Sequence, residues 1–352
     1  MKTHIHFFRF SFALMLISCN QTIDDLEKQD QVIWYQQPAS VWEEALPLGN
    51  GRLGVMVFGN PKEERIQLND DSLWPSDMGW DHPEGTPDDL NQIRKLLKSG
   101  EIQTVDALLV EKFSRKTVVR SHQTLGDLFI SFNHDSISDY ERSLNLNRAV
   151  TTTKFKSNGY EISQTTFVSA PDQTIIINLE SEHPQGLNGT LQLKRPKDEG
   201  YETAQTYSKD GSLIMEGEVT QRKGTFDSKP SPILEGVKFQ TILLPKHQGG
   251  TITAQDQQLE FKGIQKLELR IVSNSSYYFE DFKMQNKKQL AALKEMSVET
   301  IKKNHIEDHQ SLFNRVELDL ITDNTLQKTP TDKRIEAIKT GKEDIELQET
   351  LF

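Results

Sequence analysis

One stretch of the chain gathers residue types suited to a neutral polar ligand: Gln67-Leu68-Asn69-Asp70-Asp71-Ser72-Leu73-Trp74-Pro75. Asn69, Asp70 and Asp71 offer planar amide and carboxylate groups to hydroxyls. Trp74 offers a flat face for the C–H side of a sugar ring. The same spelling also suits a plainer arrangement, an Asx-type turn capped by Asp70 or Asp71 with the tryptophan filling a core. Spacing leaves both open, and Asn69, Asp70, Asp71 and Trp74 stand as the candidate substrate-binding residues.

Other motifs lose their chemistry on inspection. Gly49-Asn50-Gly51-Arg52-Leu53-Gly54 fits G-x-G-x-x-G, but a dinucleotide site needs a strand before it and a helix after it. Here Pro47 precedes it, and Val55-Met56-Val57-Phe58 after it reads as a strand. The glycines are expected to make a tight turn into that strand. His305 and His309 lie four apart, yet Ile306 stands where a zinc protease needs glutamate, and no third ligand is evident. A solvated helix face is expected there, with no metal and no cofactor. No serine elbow appears.

The 41 Lys and Arg against 52 Asp and Glu leave a formal charge of −11. That field repels polyanions, so nucleic acid is excluded as a partner, whereas neutral sugars are not penalised. Cys19 is the single cysteine, so no intramolecular disulfide can form. Lys2 and Arg9 precede the short apolar run Phe10 to Ile17, and Leu16-Ile17-Ser18-Cys19 looks like a bacterial lipobox. The run is too short to span a bilayer. A small residue before the cysteine allows cleavage, and the thiol then carries a diacylglycerol. The expectation is an exported protein, lipid-anchored at Cys19 and facing the periplasm or the cell surface. Asp24, Asp25 and Glu27 open a polar tether.

From about 32 to 280 the chain reads as short strands. Leu267, Leu269 and Ile271 alternate with Lys266, Glu268 and Arg270, the pattern of a half-buried strand. Asn158-Gly159, Asp210-Gly211 and Gly249-Gly250 suit hairpin positions that need φ > 0. One helical insertion interrupts, with Thr86 as N-cap, Pro87 at the first position, acidic Asp88 and Asp89, and Gly100 to close it. A second helix is expected over roughly 101 to 113. From 283 to 316 the apolar period becomes helical, and further helical starts follow at Thr331 and near Asp344. The last of these finishes on Leu351-Phe352 without glycine or a basic turn, which reads as a helix cut short. The fold expected is mainly β: a large antiparallel β-sandwich, then a helical linker.

Longer motifs carry a resemblance. Trp34-Tyr35-Gln36-Gln37-Pro38-Ala39, Trp42-Glu43-Glu44-Ala45-Leu46-Pro47-Leu48-Gly49-Asn50-Gly51-Arg52-Leu53-Gly54 and Glu64-Arg65-Ile66-Gln67-Leu68-Asn69-Asp70-Asp71-Ser72-Leu73-Trp74 resemble the opening of glycoside hydrolase family 95, the α-L-fucosidases. Leu125-Gly126-Asp127-Leu128, Tyr140-Glu141-Arg142-Ser143-Leu144-Asn145-Leu146, the run from His305 to Val316 and Pro330-Thr331-Asp332-Lys333-Arg334 follow in order. His122-Gln123-Thr124 departs from the Tyr-Gln-Pro that family members tend to carry, which puts a loop in question.

The resemblance implies a sandwich, a linker, an (α/α)6 barrel and a C-terminal β domain. It also implies inverting hydrolysis of terminal α-L-fucosides, or α-galactosides in some members. Such an enzyme needs one acid on the leaving oxygen and one base activating water, and in the family both lie in the barrel. The expected organisation is therefore 1–18 signal peptide, 19–31 tether, 32–280 sandwich, 281–329 linker and 330–352 the truncated start of the barrel, with no catalytic residue in this chain. The implied partner is a fucosylated oligosaccharide or polysaccharide. Two alternatives stay open: a surface lipoprotein that binds glycans without cutting them, and an inactive structural remnant.

Overall fold

The computed structural model describes residues 31–75, 84–114, 121–198, 200–222, 232–320 and 325–351. Cys19 and the leader before it lie outside the described residues. The described residues form sixteen strands, in chain order β1 (Val32–Tyr35), β2 (Leu46–Gly49), β3 (Leu53–Val57), β4 (Glu63–Asp70), β5 (Gly126–Phe132), β6 (Ile137–Asn145), β7 (Val150–Ser157), β8 (Tyr160–Ser169), β9 (Thr174–Ser181), β10 (Leu187–Lys194), β11 (Ala204–Lys209), β12 (Ser212–Arg222), β13 (Pro232–Gln248), β14 (Thr251–Gln255), β15 (Gln258–Ile264) and β16 (Lys266–Ser275). They form a nine-stranded sheet, β1-β6-β7-β8-β9-β16-β13-β12-β11, and a seven-stranded sheet, β14-β15-β10-β5-β4-β3-β2. All named pairings are antiparallel.

Alternation explains the packing. On β4, Ile66 and Leu68 point inward and are fully buried, while Gln67 and Asn69 point outward. With Leu128 and Ile130 of β5 and Leu267, Leu269 and Ile271 of β16 they fill the space between the sheets. Each such side chain stabilises the fold by about 1.5–3 kcal/mol when fully buried. The hairpin turns form at the expected dipeptides: φ is 51° and 83° at Asn158-Gly159, 51° and 76° at Asp210-Gly211, and 75° and 58° at Gly249-Gly250.

The helical insertion is α1 (Pro87–Ser99) and α2 (Ile102–Phe113). Thr86 and Asp89 close a reciprocal capping box, and Gly100 ends α1 in the left-handed region at φ 82°. After the sandwich come α3 (Phe282–Lys294), α4 (Val298–Phe313), α5 (Thr331–Lys339) and α6 (Ile345–Leu351). Asp281 and Ser297 cap α3 and α4 through their side chains. Both helices lie on the outer face of the nine-stranded sheet, where Leu293 and Ile301 pack against Val150, Phe167, Ile176, Ile242 and Val272. Arg270 secures the join, donating to the backbone oxygens of Leu293 and Met296.

One expectation changes here. The His305 and His309 face is not solvated. His305 is buried against Phe167, and its Nε2 donates to the carbonyls of Arg148 and Ala149 at 3.0 Å each; His309 Nε2 donates to Leu146 at 2.8 Å. A turn leaves carbonyls needing partners, and two imidazoles supply them. Farther on, Leu347 is buried although Ile335, Ile338, Ile345 and Leu351 are exposed. Arg334 of α5 grips Asp344 with two bonds of 2.8 and 2.6 Å, which holds α6 against α5. Trp34 of β1 then ties this unit to the sandwich edge, its backbone N–H donating to Thr331 Oγ1 and its indole to the Gln327 carbonyl.

Candidate functional site

The turn that follows β4 is assembled from three distant parts of the chain. Asp70, the last residue of β4, points inward and is fully buried. Its Oδ1 accepts from the Ser72 backbone at 3.1 Å and the Ser72 hydroxyl at 2.6 Å, and its Oδ2 accepts from Arg52 at 3.1 Å. Burial raises its pKa, against the Ser72 hydrogen bonds and the Arg52 charge. Asp70 is thus the internal anchor of the turn and has no free face for a ligand.

Arg52 comes from the glycine-rich segment, which forms the hairpin between β2 and β3 as expected. Asn50 Oδ1 accepts from the backbones of Arg52 and Leu53, and Gly51 takes φ 89°. The guanidinium also donates to Gln173 Oε1 at 2.8 Å and to the Ser273 carbonyl of β16 at 2.9 Å. From the same strand, the Ser275 hydroxyl meets Ser72 Oγ at 2.7 Å.

Leu73, not Trp74, enters the core. Trp74 is 53% exposed and meets the His122 ring edge-on at 5.3 Å between centroids. His122 Nε2 donates to the Asp70 carbonyl at 2.9 Å, and the Gln123 backbone donates to Leu73. The segment that departs from the family pattern is therefore what clamps the turn. Asp71 is exposed and accepts from the Tyr278 hydroxyl at 2.8 Å. Burial, then the bond to Asp71, pushes the Tyr278 phenol up to about 12. Asn69 is exposed on the outer face of β4, with its side-chain amide open to solvent. The structure thus brings Asn69, Asp71 and Trp74 to the surface around a buried Asp70.

Sequence reasoning missed Arg52, His122 and Tyr278. Tyr277-Tyr278-Phe279, three consecutive exposed aromatics, was a readable signal. The other buried carboxyl of β4, Glu64, is fully enclosed and pushed up to about 8 by burial. At 1% exposure it offers no surface to a ligand in this fold. Among the described residues no group of three His, Cys, Asp or Glu is placed to hold a metal ion.

Comparison with known proteins gives this geometry its class. Residues 33–279 match the N-terminal domain of glycosyl hydrolase family 65, and residues 297–352 match the family 95 catalytic domain. The chain belongs to the glycosyl hydrolases, as the N-terminal portion of a family 95-like member. It is 26% identical over 343 residues to alpha-L-fucosidase 2 of Arabidopsis thaliana, covering 90% of this chain and 40% of that protein. It is 30% identical over 165 residues to probable alpha-fucosidase A of Aspergillus oryzae, covering 42% of this chain and 21% of the other. The chain thus spans less than half the length of these relatives. A putative kojibiose phosphorylase from the human microbiome shares 11% identity at a TM-score of 0.44 over 81% of this chain and 39% of its own, a likeness too slight to carry an argument.

Proposed function

We propose that the protein whose N-terminal portion this is hydrolyses terminal α-L-fucosides on oligosaccharides or polysaccharides, and that a diacylglycerol on Cys19 holds it to a bacterial membrane after export. The fucoside reading is carried by the identity to alpha-L-fucosidase 2 sustained over 90% of the chain. The anchor is supported by the basic start, the short apolar run and the Ser18-Cys19 pair. In this proposal the acid and base come from the family 95 catalytic domain. The sandwich contributes Asn69, Asp71 and Trp74 toward the sugar, with Asp70 holding them in place.

An aryl α-L-fucoside tests the activity. The protein extended through a complete family 95 catalytic domain releases the aryl alcohol, and residues 1–352 alone do not. Turnover by residues 1–352, lost on mutating one of their carboxylates, would place the chemistry in the sandwich instead. An extended protein that binds fucosides without cleaving them would support the glycan-binding alternative. For the anchor, Cys19→Ala abolishes labelling by a clickable fatty acid in a bacterial host, and equal labelling of both forms would refute it.

A further inference from the structure

Beside Trp42 the outer face of the seven-stranded sheet holds a cleft of about 370 Å³, a volume in the range of small-ligand sites. Its wall is the Trp42 indole, 53% exposed and fixed in place because Nε1 donates to Gln67 Oε1 at 2.6 Å. An indole already bonded at its nitrogen presents only its apolar face. Gln67 and Asn69 lie two apart on β4, so both point outward into the cleft. Asn69 brings an uncommitted amide, with a donor and an acceptor side. His122 and Thr124 line the far side.

The floor is bare. Pairing across the sheet sets Pro47, Met56 and Gln67 in one row and Gly49, Gly54 and Asn69 in the next. Neither glycine has a positive φ, and a Cβ on Gly54 would meet its nearest neighbours at an ordinary 3.7 Å. Nothing in the backbone requires glycine at that point, and glycine inside a strand costs stability. What it provides is depth beside the indole.

Charge identifies the occupant. None of the residues lining the cleft is Asp, Glu, Lys or Arg, in a chain where 26% of residues are charged. Three other described clefts each carry charged side chains: Glu180 and Lys266 in one, Glu216 and Lys283 in another, Asp172 and Lys288 in the third. An apolar ring face, an amide pair and an uncharged floor fit an uncharged pyranose, which has one C–H face to stack and hydroxyls at its rim.

We infer that the cleft beside Trp42 is a binding site for a neutral pyranose, formed by the sheet face and sharing Asn69 and His122 with the turn that follows β4. Only the choice of probe rests on the function proposed above. The test is titration of the ¹⁵N-labelled chain with methyl α-L-fucopyranoside, with methyl β-D-galactopyranoside as a second neutral sugar and N-acetylneuraminate as an anionic one. The Trp42 indole N–H signal, one of four tryptophan indoles in the chain, shifts with a neutral sugar while the Trp74 indole stays. Trp42→Ala, and separately Gly54→Leu, which fills the floor, weaken binding at least tenfold without lowering the melting temperature. Shifts confined to the Trp74 indole, equal binding of the anionic sugar, or no neutral sugar bound at millimolar concentration would each overturn the site. None of these outcomes bears on fucoside cleavage by the extended protein, which the aryl fucoside assay reads separately.

Discussion

Strand β4 carries an inward-facing carboxyl at each end, and the two ends do opposite things. At the Asp70 end the carboxylate has a cation, Arg52, at 3.1 Å and a serine hydroxyl, and the turn it anchors opens to the surface. At the Glu64 end the carboxyl accepts from the Gly59 backbone at 3.0 Å. The nearby Arg142 spends its donors on the carbonyls of Gln37 and Glu44 and lies over the Tyr35 ring, and Tyr140 closes the lid with a bond to the Gly59 carbonyl. One end presents an amide, a carboxylate and an indole, whereas the other presents only the charged pair Lys62 and Glu63. The lesson is that the buried acid does not mark the site. At Asp70 the buried acid is satisfied by Arg52 and Ser72 and leaves Asn69 and Trp74 exposed on either side of it.

The largest effect is expected at Asp70. Asp70→Ala leaves a largely buried guanidinium without its carboxylate and is expected to cost about 3 kcal/mol in urea unfolding. A cost under about 1 kcal/mol would show that Arg52 is satisfied by Gln173 and Ser273 alone.

Glu64 gives the next effect, through pH. Folded Glu64 keeps its proton up to about pH 8, while the unfolded carboxyl releases its proton near 4.5. Between those values the folded state holds the extra proton, so this group makes stability fall as pH rises through that window. Glu64→Gln is expected to flatten the slope, by an amount on the order of 2 kcal/mol between pH 5 and 6.5. An unchanged slope in chemical denaturation across that range would mean that Glu64 is ionised in the fold.

The smallest effect belongs to the surface. Tyr278→Phe removes one exposed bond to Asp71 and is expected to change stability by only ~0.5 kcal/mol. A loss several times larger would make Asp71 a structural residue rather than a presented one.

Much of the frame was legible because it depends on short-range rules. The dipeptide turns, the capping box at Thr86 and the alternation on β16 each rest on residues within a few positions of one another. The site was legible only in its central segment. Arg52 reaches Asp70 across 18 positions, His122 across 52, and Tyr278 reaches Asp71 across 207. Such contacts follow from sheet order, which local pattern does not encode. For the same reason the imidazoles of His305 and His309 read as a solvated face, since their carbonyl partners belong to the β6–β7 turn more than 150 positions earlier.

The exposed residues around Asp70 either meet the sugar or only cap the sandwich, and kinetics in the protein extended through its complete catalytic domain measures this directly. With an α-L-fucoside substrate, Asn69→Ala and Asp71→Ala are each expected to lower kcat/KM by roughly tenfold, ~1.4 kcal/mol, with the melting temperature unchanged. A lowered melting temperature with kcat/KM per folded molecule intact would contradict it, and would make the turn a cap on the sandwich and nothing more.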